Sequence, residues 1–377
     1  MTPRLDHDYE TSRPRILFLA SQLGVSGVER VWANLIPGLA ERGAKVKVVA
    51  LHAKGEMYEK LRDLGLDMAF LDAPNGTAAL TRVPRLLTEG RRFAPTAVVG
   101  SGANAFALSA LLGRLLGCPA VVNWHQQVGL KFEGSSRVAC RFAAISGAGV
   151  ISASKANEAD LLEVGFKADR IRPVTLGVPE PGTKTDLGES TEGDVFQVCT
   201  ATRLSSEKRL DRFVEAISLA AAEVPSIRGV IAGDGLQRTE LTLLRDSLGS
   251  PVELIGMHEE PTQLMLESDV VCMTSEFETT PIALMEAAAC GRPVVTTDVG
   301  GIPKMVEDGV TGLLCRDHSA ASIAQAILKI AKDRDLCQRM GSAAYARWER
   351  DFSLDRTVDE YLRLLSSASG PPLQWNS

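Results

Sequence analysis

Aromatic residues are scarce in this sequence, at 5% of 377 positions, and there are only five histidines. The seven cysteines (Cys118, Cys140, Cys199, Cys272, Cys290, Cys315 and Cys337) are odd in number and scattered, and none forms a Cys-x-x-Cys pair. That spacing suggests neither a disulfide framework nor a structural zinc site, and it fits buried thiols in a reducing compartment. Long hydrophobic runs are missing too. The most apolar stretch, Ala103 to Val122, is interrupted by Gly113, Arg114, Gly117 and Pro119. It reads as a buried helix followed by a strand, not as a membrane span. Residues Met1 to Arg13 are polar and charged, without the apolar segment of a signal peptide, so a cytoplasmic location is expected. Nor is there a basic excess: 41 Lys and Arg face 47 Asp and Glu, a net charge of −6, which argues against a dedicated nucleic-acid binder.

What is present describes a folded α/β protein. Hydrophobic residues make up 45% of the chain, a globular fraction, and the length exceeds one ordinary core and fits two domains. Charge is uneven. Residues 1–180 carry 22 Lys and Arg against 17 acids, a net of +5, whereas residues 181–377 carry 19 against 30, a net of −11. The basic half hints at an anionic partner, with chance surface charge as the plain alternative.

Short apolar, β-branched runs recur at Arg15–Ser21, Lys45–Leu51, Ala97–Ser101, Ala120–Trp124, Gly149–Ser152 and Arg170–Leu176. They recur again at Val195–Thr202, Gly229–Ala232, Val252–Ile255, Asp269–Thr274, Pro293–Thr297 and Gly312–Cys315. Helical patterns fill the gaps. Continuous apolar strands alternating with helices indicate parallel sheets covered on both faces, here two Rossmann-like, doubly wound domains of six strands each. Residues 181–194, rich in Pro, Gly, Thr and acids, read as a linker. The first domain is expected over 1–180 and the second over 195–349. Tyr345–Leu365 reads as helical with a cap at Ser353, and residues after 365 read as frayed. In such sheets ligands bind at the carboxyl ends of strands, so two facing sheets would make a cleft there.

The segment Ser275–Pro303 carries the most information. Asp269–Thr274 is a buried strand, Thr280 is a good N-cap, Pro281 suits the first helical position, Ile282–Ala289 continues the helix, and Gly291 and Pro293 end it. The helix start would face the ligand side, where free N–H groups favour a phosphate. Glu286 lies in this apolar helix, where a carboxylate is costly without a hydrogen-bond partner, and ribose or sugar hydroxyls are suitable donors. Glu278 lies in the loop before it. The bland alternative is a pair of solvated glutamates.

Glu278 and Glu286, with seven residues between them and Ala-Cys-Gly-Arg-Pro-Val-Val following, resemble the Glu-seven-Glu motif of the retaining glycosyltransferases of family four, which have the GT-B fold. The likeness continues through Thr297-Asp298-Val299-Gly300-Gly301-Ile302-Pro303. Thr279-Thr280 stands where that family usually has Gly-Phe, and Lys304 where Glu is common. The resemblance implies that Glu278, Thr279, Thr280, Pro281 and Ile282 meet the donor sugar and its phosphates and that Glu286 meets the nucleotide. Arg203 and Lys208 follow a strand and resemble the family's cation pair for the diphosphate, with Arg209 in place of a glycine; a solvated helix start is the alternative. Gly233 and Gly235, in a Gly-Asp-Gly turn after a strand, are similar to the family's nucleotide loop. Gly27, in a loop similar to the family's Gly-Gly-x-Glu-Arg, allows close backbone approach. It does not fit a nicotinamide fingerprint.

His125 ends a strand; it is either a satisfied structural residue or, by resemblance, a group facing the donor sugar. His258 lies near the family's base position and is equally a plain loop residue. Ser154 reads as a helix cap. The Asp-x-Asp metal motif of the other common glycosyltransferase fold has no match in position, because Asp6–Asp8 lies in the tail and Asp333–Asp335 at a helix end.

The resemblance implies a metal-independent hexosyltransferase without cofactor. It would move a sugar from a nucleoside-diphosphate sugar to an acceptor hydroxyl with retention, in cell-surface polysaccharide or glycoconjugate synthesis. The first domain would take the acceptor (a glycan, a lipid-linked sugar or a small molecule), the second the donor, and the C-terminal helix, 350–368, would cross back to the first. A nucleotide-sugar epimerase of the same fold and a non-catalytic sugar-nucleotide binder are the rivals. Finally, Thr81–Phe93 mixes Arg82, Arg85, Arg91 and Arg92 with Val83, Leu86, Leu87 and Phe93. A short amphipathic helix there suggests peripheral contact with an anionic membrane, a solvated helix being the alternative.

Overall fold

The computed structural model describes residues 13–23, 27–74, 76–124, 134–182, 195–258 and 260–375. The chain forms two compact units, Met1–Gly177 with Leu354–Ser377, and Val178–Ser353. Residues 183–194 of the linker read from composition lie outside the described residues.

The first unit is built on seven parallel strands: β1 (Arg15–Gln22), β2 (Lys45–Ala53), β3 (Asp67–Phe70), β4 (Ala97–Ser101), β5 (Ala120–Trp124), β6 (Gly149–Ser152) and β7 (Ile171–Pro173). Their order is β3-β2-β1-β4-β5-β6-β7. Alternation along β1 divides the core between two faces. Ile16, Phe18 and Ala20 pack under Trp32, Leu35, Ile36 and Leu39 of the helix Gly27–Glu41 and under Val358, Tyr361 and Leu365 of the helix Leu354–Ser367. Leu17 and Leu19 pack with Leu86, Leu108 and Leu112 of the helices Val83–Phe93 and Ala103–Leu116.

The second unit holds six parallel strands: β8 (Phe196–Ala201), β9 (Ile227–Ala232), β10 (Val252–Gly256), β11 (Val270–Met273), β12 (Val294–Thr297) and β13 (Gly312–Cys315), in the order β10-β9-β8-β11-β12-β13. Phe196 and Val198 pack with Phe213, Ile217, Ile323 and Ile327 on one face, while Cys199, Val271 and Met273 pack with Leu284 and Ala287 on the other. The strand order reverses at β1/β4 and at β8/β11. At such switch points the loops leaving neighbouring strands diverge and open a crevice at their carboxyl ends.

Four expectations need correction. The first sheet has a seventh strand, β3, whose Asp67-Met-Ala-Phe is short and only half-buried because it closes one edge on β2. The tail beyond Leu365 is not frayed: Leu373 is 1% exposed and packs against Gly149, and Ala368–Ser369 pairs antiparallel with Gln374–Trp375. The C-terminal helical stretch is broken, with Arg334–Arg347 passing into a π-turn at Trp348–Phe352 and Ser353 extended before Leu354–Ser367. The helix Val83–Phe93 is real, but its apolar side is core: Leu86 and Gly90 are buried, and Gly90 lies against Leu116. Among the described residues no helix is long and apolar enough to cross a membrane.

Candidate functional site

The loop after β8 and the loop after β11 meet beside the switch point of the second sheet. After β8 the Thr202 N–H donates to Ala232 O, at 2.9 Å, and the Leu204 N–H to Asp234 O, at 3.0 Å, so this loop runs against the Gly233-Asp234-Gly235 turn that follows β9. Gly233 has φ +140°, and a Cβ there would overlap the Thr202 carbonyl oxygen. The glycine is required by that close approach. The chain then makes a 3₁₀ turn, Ser206–Lys208, and Arg209 takes the left-handed conformation (φ +47°, ψ +46°) before the helix Leu210–Glu223. A non-glycine residue in that region carries strain. Arg209 donates to Asp211; burial, the largest single influence, pushes the Asp211 carboxyl up, but the Arg209 hydrogen bonds and charge together with the Arg212 N–H and charge outweigh it, so the carboxyl lies below its ordinary range.

Lys208 is the centre of the meeting. Its Nζ donates to Glu278 Oε1 at 2.6 Å, and its carbonyl accepts from the Thr274 hydroxyl at 2.9 Å. The Glu276 N–H donates to Glu207 O at 2.8 Å, completing the join between the loops. Glu278 is 7% exposed and also accepts from Ser275 Oγ at 2.8 Å, again on Oε1. From the loop after β12, the Gly301 N–H donates to Glu278 O at 2.9 Å, and side chains at Gly300 and Gly301 would overlap the carbonyls of Glu278 and Thr279. Arg203 lies on the same loop as Lys208 and is exposed, with no side-chain hydrogen bond or ion pair among the described residues.

The helix Ile282–Ala289 follows Glu278. The expected cap at Thr280 is not formed: Pro281, extended at φ −69° and ψ 117°, occupies the N-cap, and no side chain caps the helix start. Proline lacks a capping side chain, which leaves the first N–H groups without an intrahelical partner. At the other end Cys290 is the C-cap and Gly291 follows it with φ +64°. The Gly291 and Arg292 N–H groups donate to Ala288 O and Ala287 O, both at 2.9 Å, a Schellman closure. Glu286 is 8% exposed on this helix.

The structure brings Lys208, Glu278, Thr279, Thr280, Pro281 and Ile282 onto adjoining loops of the second unit, with Arg203, Gly233 and Gly235 on the loops beside them and Glu286 one turn into the helix. His125 lies outside the described residues, as do Gly24, Val25 and Ser26; Gly27 opens the helix Gly27–Glu41. Ser154 directly precedes a 3₁₀ turn rather than the longer helix. That turn intervenes, and Asn157 holds the N-cap of Glu158–Val164. His258 follows β10 with its Nδ1 buried and without a partner among the described residues. Asp333 caps Arg334–Arg347 by accepting from the Leu336 N–H at 2.8 Å.

Sequence reasoning missed Ser275, whose three-residue spacing from Glu278 was the available signal. It also missed a polar pair in the first unit. Asn104 Nδ2 donates to His52 Nε2 at 2.9 Å, and His52 Nδ1 faces Ala73 O at 2.6 Å, which fixes Nδ1 as the protonated nitrogen.

Doubly wound parallel sheets with a polar, glycine-walled loop cluster at a switch point define a Rossmann-like α/β protein. Residues 186–347 match the family Glycosyl transferases group 1, and residues 26–177 match the Glycosyl transferase 4-like domain. These two domains place the chain among the glycosyltransferases of GT-B fold. It is 31% identical over 156 residues to N-acetyl-alpha-D-glucosaminyl L-malate synthase of Bacillus anthracis, covering 41% of this chain and 41% of that protein. It is 31% identical over 220 residues to the D-inositol 3-phosphate glycosyltransferase of Mycobacterium tuberculosis, covering 52% of this chain and 45% of the relative. The chain thus spans less than half the length of these curated relatives. Its fold is shared with Alr3699/HepE of Anabaena, crystallised with UDP, at a TM-score of 0.79 and 22% identity over 94% of this chain and all of that one.

Proposed function

We propose that the chain is a retaining, metal-independent glycosyltransferase that moves a sugar from a nucleoside-diphosphate sugar to an acceptor hydroxyl. The observation that carries this reading is the joining of Lys208 and Glu278, from two different loops, beside an uncapped helix start. A cation, a carboxylate and free N–H groups at one strand edge suit a sugar diphosphate. Arg203 and Lys208 meet the diphosphate and stabilise the charge that develops as it leaves. Glycosyl transfer passes through an oxocarbenium-like state, so leaving-group stabilisation lowers the barrier directly. Glu278 accepts from the donor sugar, Thr279, Thr280, Pro281 and Ile282 line its phosphates, Glu286 accepts from the ribose, and Gly233 and Gly235 let the nucleotide approach the backbone. The second unit holds the donor. The first holds the acceptor; Gly27 lets the backbone approach a ligand, and the role assigned to His125 is contact with the donor sugar.

UDP in the crystals of Alr3699/HepE supports a uridine nucleotide as the first one to try. The names of the two relatives carry L-malate and D-inositol 3-phosphate. Both are small hydroxylated anions, and together with the net positive first half they favour a small anionic acceptor over a lipid-linked one. Membrane contact through Thr81–Phe93 then rests on Arg82, Arg85, Arg91 and Arg92 alone, since the apolar side of that helix is core.

The test is a screen of nucleotide sugars, scored by thermal stabilisation and slow donor hydrolysis, with the anomeric configuration of the product read by NMR. Glu286→Gln should weaken UDP binding by about 1–3 kcal/mol in calorimetric titration, the scale of a hydrogen bond to a charged group. No stabilisation by any nucleotide sugar overturns the reading, and unchanged UDP affinity in the variant removes Glu286 from the site.

A further inference from the structure

Both hydrogen bonds to the Glu278 carboxylate fall on one oxygen. Lys208 Nζ donates to Oε1 at 2.6 Å and Ser275 Oγ to the same Oε1 at 2.8 Å, while Oε2 accepts none among the described residues. A carboxylate has acceptor sites on both oxygens, so double loading of one leaves the other as the open acceptor. Ser275 is itself anchored. It is 2% exposed, and its carbonyl accepts from Thr297 Oγ1 at 2.7 Å, which ties it to the end of β12. Its hydroxyl spends its single proton on Glu278.

The geometry points to Ser275 as a positioning residue that fixes which Glu278 oxygen is presented, holding Oε1 so that Oε2 meets a hydroxyl of the donor sugar. The inference rests on the reading above that Glu278 contacts that sugar. Lys208 alone cannot hold the carboxylate this way. An ammonium is a compact charge on a flexible stem, and the carboxylate can rotate to offer it either oxygen. Lys208 is also placed to turn toward a diphosphate, and Ser275 then remains as the fixed donor. The contact serves the sugar rather than the nucleotide, so its loss should be read in the difference between UDP-sugar and UDP affinity.

The experiment measures binding of UDP and of UDP-glucose to the full chain in wild type, Ser275→Ala, Ser275→Cys and Glu278→Gln, with the thermal midpoint of each. Ser275→Ala should lower UDP-glucose affinity about tenfold, the scale of a hydrogen bond to a charged group, and leave UDP affinity near wild type, while the thermal midpoint falls modestly because the same buried bond is lost in the free protein. Ser275→Cys, with a weaker donor of similar shape, should fall between. If Glu278→Gln weakens UDP-glucose selectively and Ser275→Ala does not, the positioning role is overturned while the reading of Glu278 stands. If neither variant changes the difference between the two ligands, Glu278 does not contact the sugar and both ideas fall. If Ser275→Ala weakens UDP and UDP-glucose equally, Ser275 is a structural residue and the inference fails.

Discussion

The ion pair between Lys208 and Glu278 should be measurable in the absence of any ligand. Its atoms are 2.6 Å apart, and its side chains keep 19% and 10% of their exposure. A surface pair contributes up to about 1 kcal/mol. Removing one partner of a fully buried pair costs about 3–5 kcal/mol, because a charge is left without compensation. Lys208→Met keeps the aliphatic stem and removes the charge. Glu278 then retains only the Ser275 hydroxyl, so a cost of about 2 kcal/mol is expected, between the two limits. For a unit of this size that lowers the thermal midpoint by about 4–8 °C. Adding Glu278→Gln to Lys208→Met removes the stranded carboxylate, so the double variant should be less destabilised than the sum of the singles, by about 1 kcal/mol. Urea unfolding of the four proteins gives the cycle, with the transition of the second unit analysed separately, since two units need not unfold together. A pair this sheltered should keep most of its coupling in 0.5 M salt, at roughly a third of the Debye length that screens exposed charges at low salt. Additivity within about 0.5 kcal/mol would refute the reasoning; so would a coupling that disappears with salt.

Two further outcomes follow from burial. Leu373→Ala should destabilise the first unit by about 2–3 kcal/mol in urea unfolding, because it empties a site packed on Gly149; a loss under 0.5 kcal/mol would return the tail to a frayed end. All seven cysteines are buried; burial pushes the thiols of Cys118, Cys315 and Cys337 up to about 11 and those of Cys140, Cys199 and Cys290 up to about 12. Raised values leave negligible thiolate at pH 8, so Ellman's reagent should be silent on the native chain and report seven thiols after unfolding.

The two sheets were legible because their strands are continuous apolar runs between turn residues, the pattern of strands buried on both faces. β3 was not, because an edge strand of four residues needs little hydrophobicity and takes its identity from pairing with β2. The tail was misread for a similar reason: a short chain end carries no periodic pattern of its own, while Leu373 is held by glycines more than two hundred positions earlier. Arg82 to Phe93 carries a clear amphipathic period, but periodicity does not say whether the apolar side faces its own core or something else, and here it faces Leu116. In the site, the loops bearing Lys208 and Glu278 were located from motif and strand ends. Their direct pairing was not, since it joins positions 70 residues apart and depends on β8 and β11 being neighbours in the sheet. Thr280 was misjudged because a good capping residue one place early cannot cap a helix whose N-cap is already a proline.

The way Gly300 and Gly301 close on the backbone of Glu278 and Thr279 separates frame from contents. The main chain there is fixed by an N–H from Gly301 and by the absence of two side chains, while Thr279 and Thr280 make no side-chain hydrogen bond among the described residues. Those two side chains are therefore interchangeable in a way that Glu278 and the glycines are not. Recognition could drift through positions 279 and 280 over many generations while the carboxylate beside them stayed in register, so a lineage built on this loop would diversify its ligands without having to refold it.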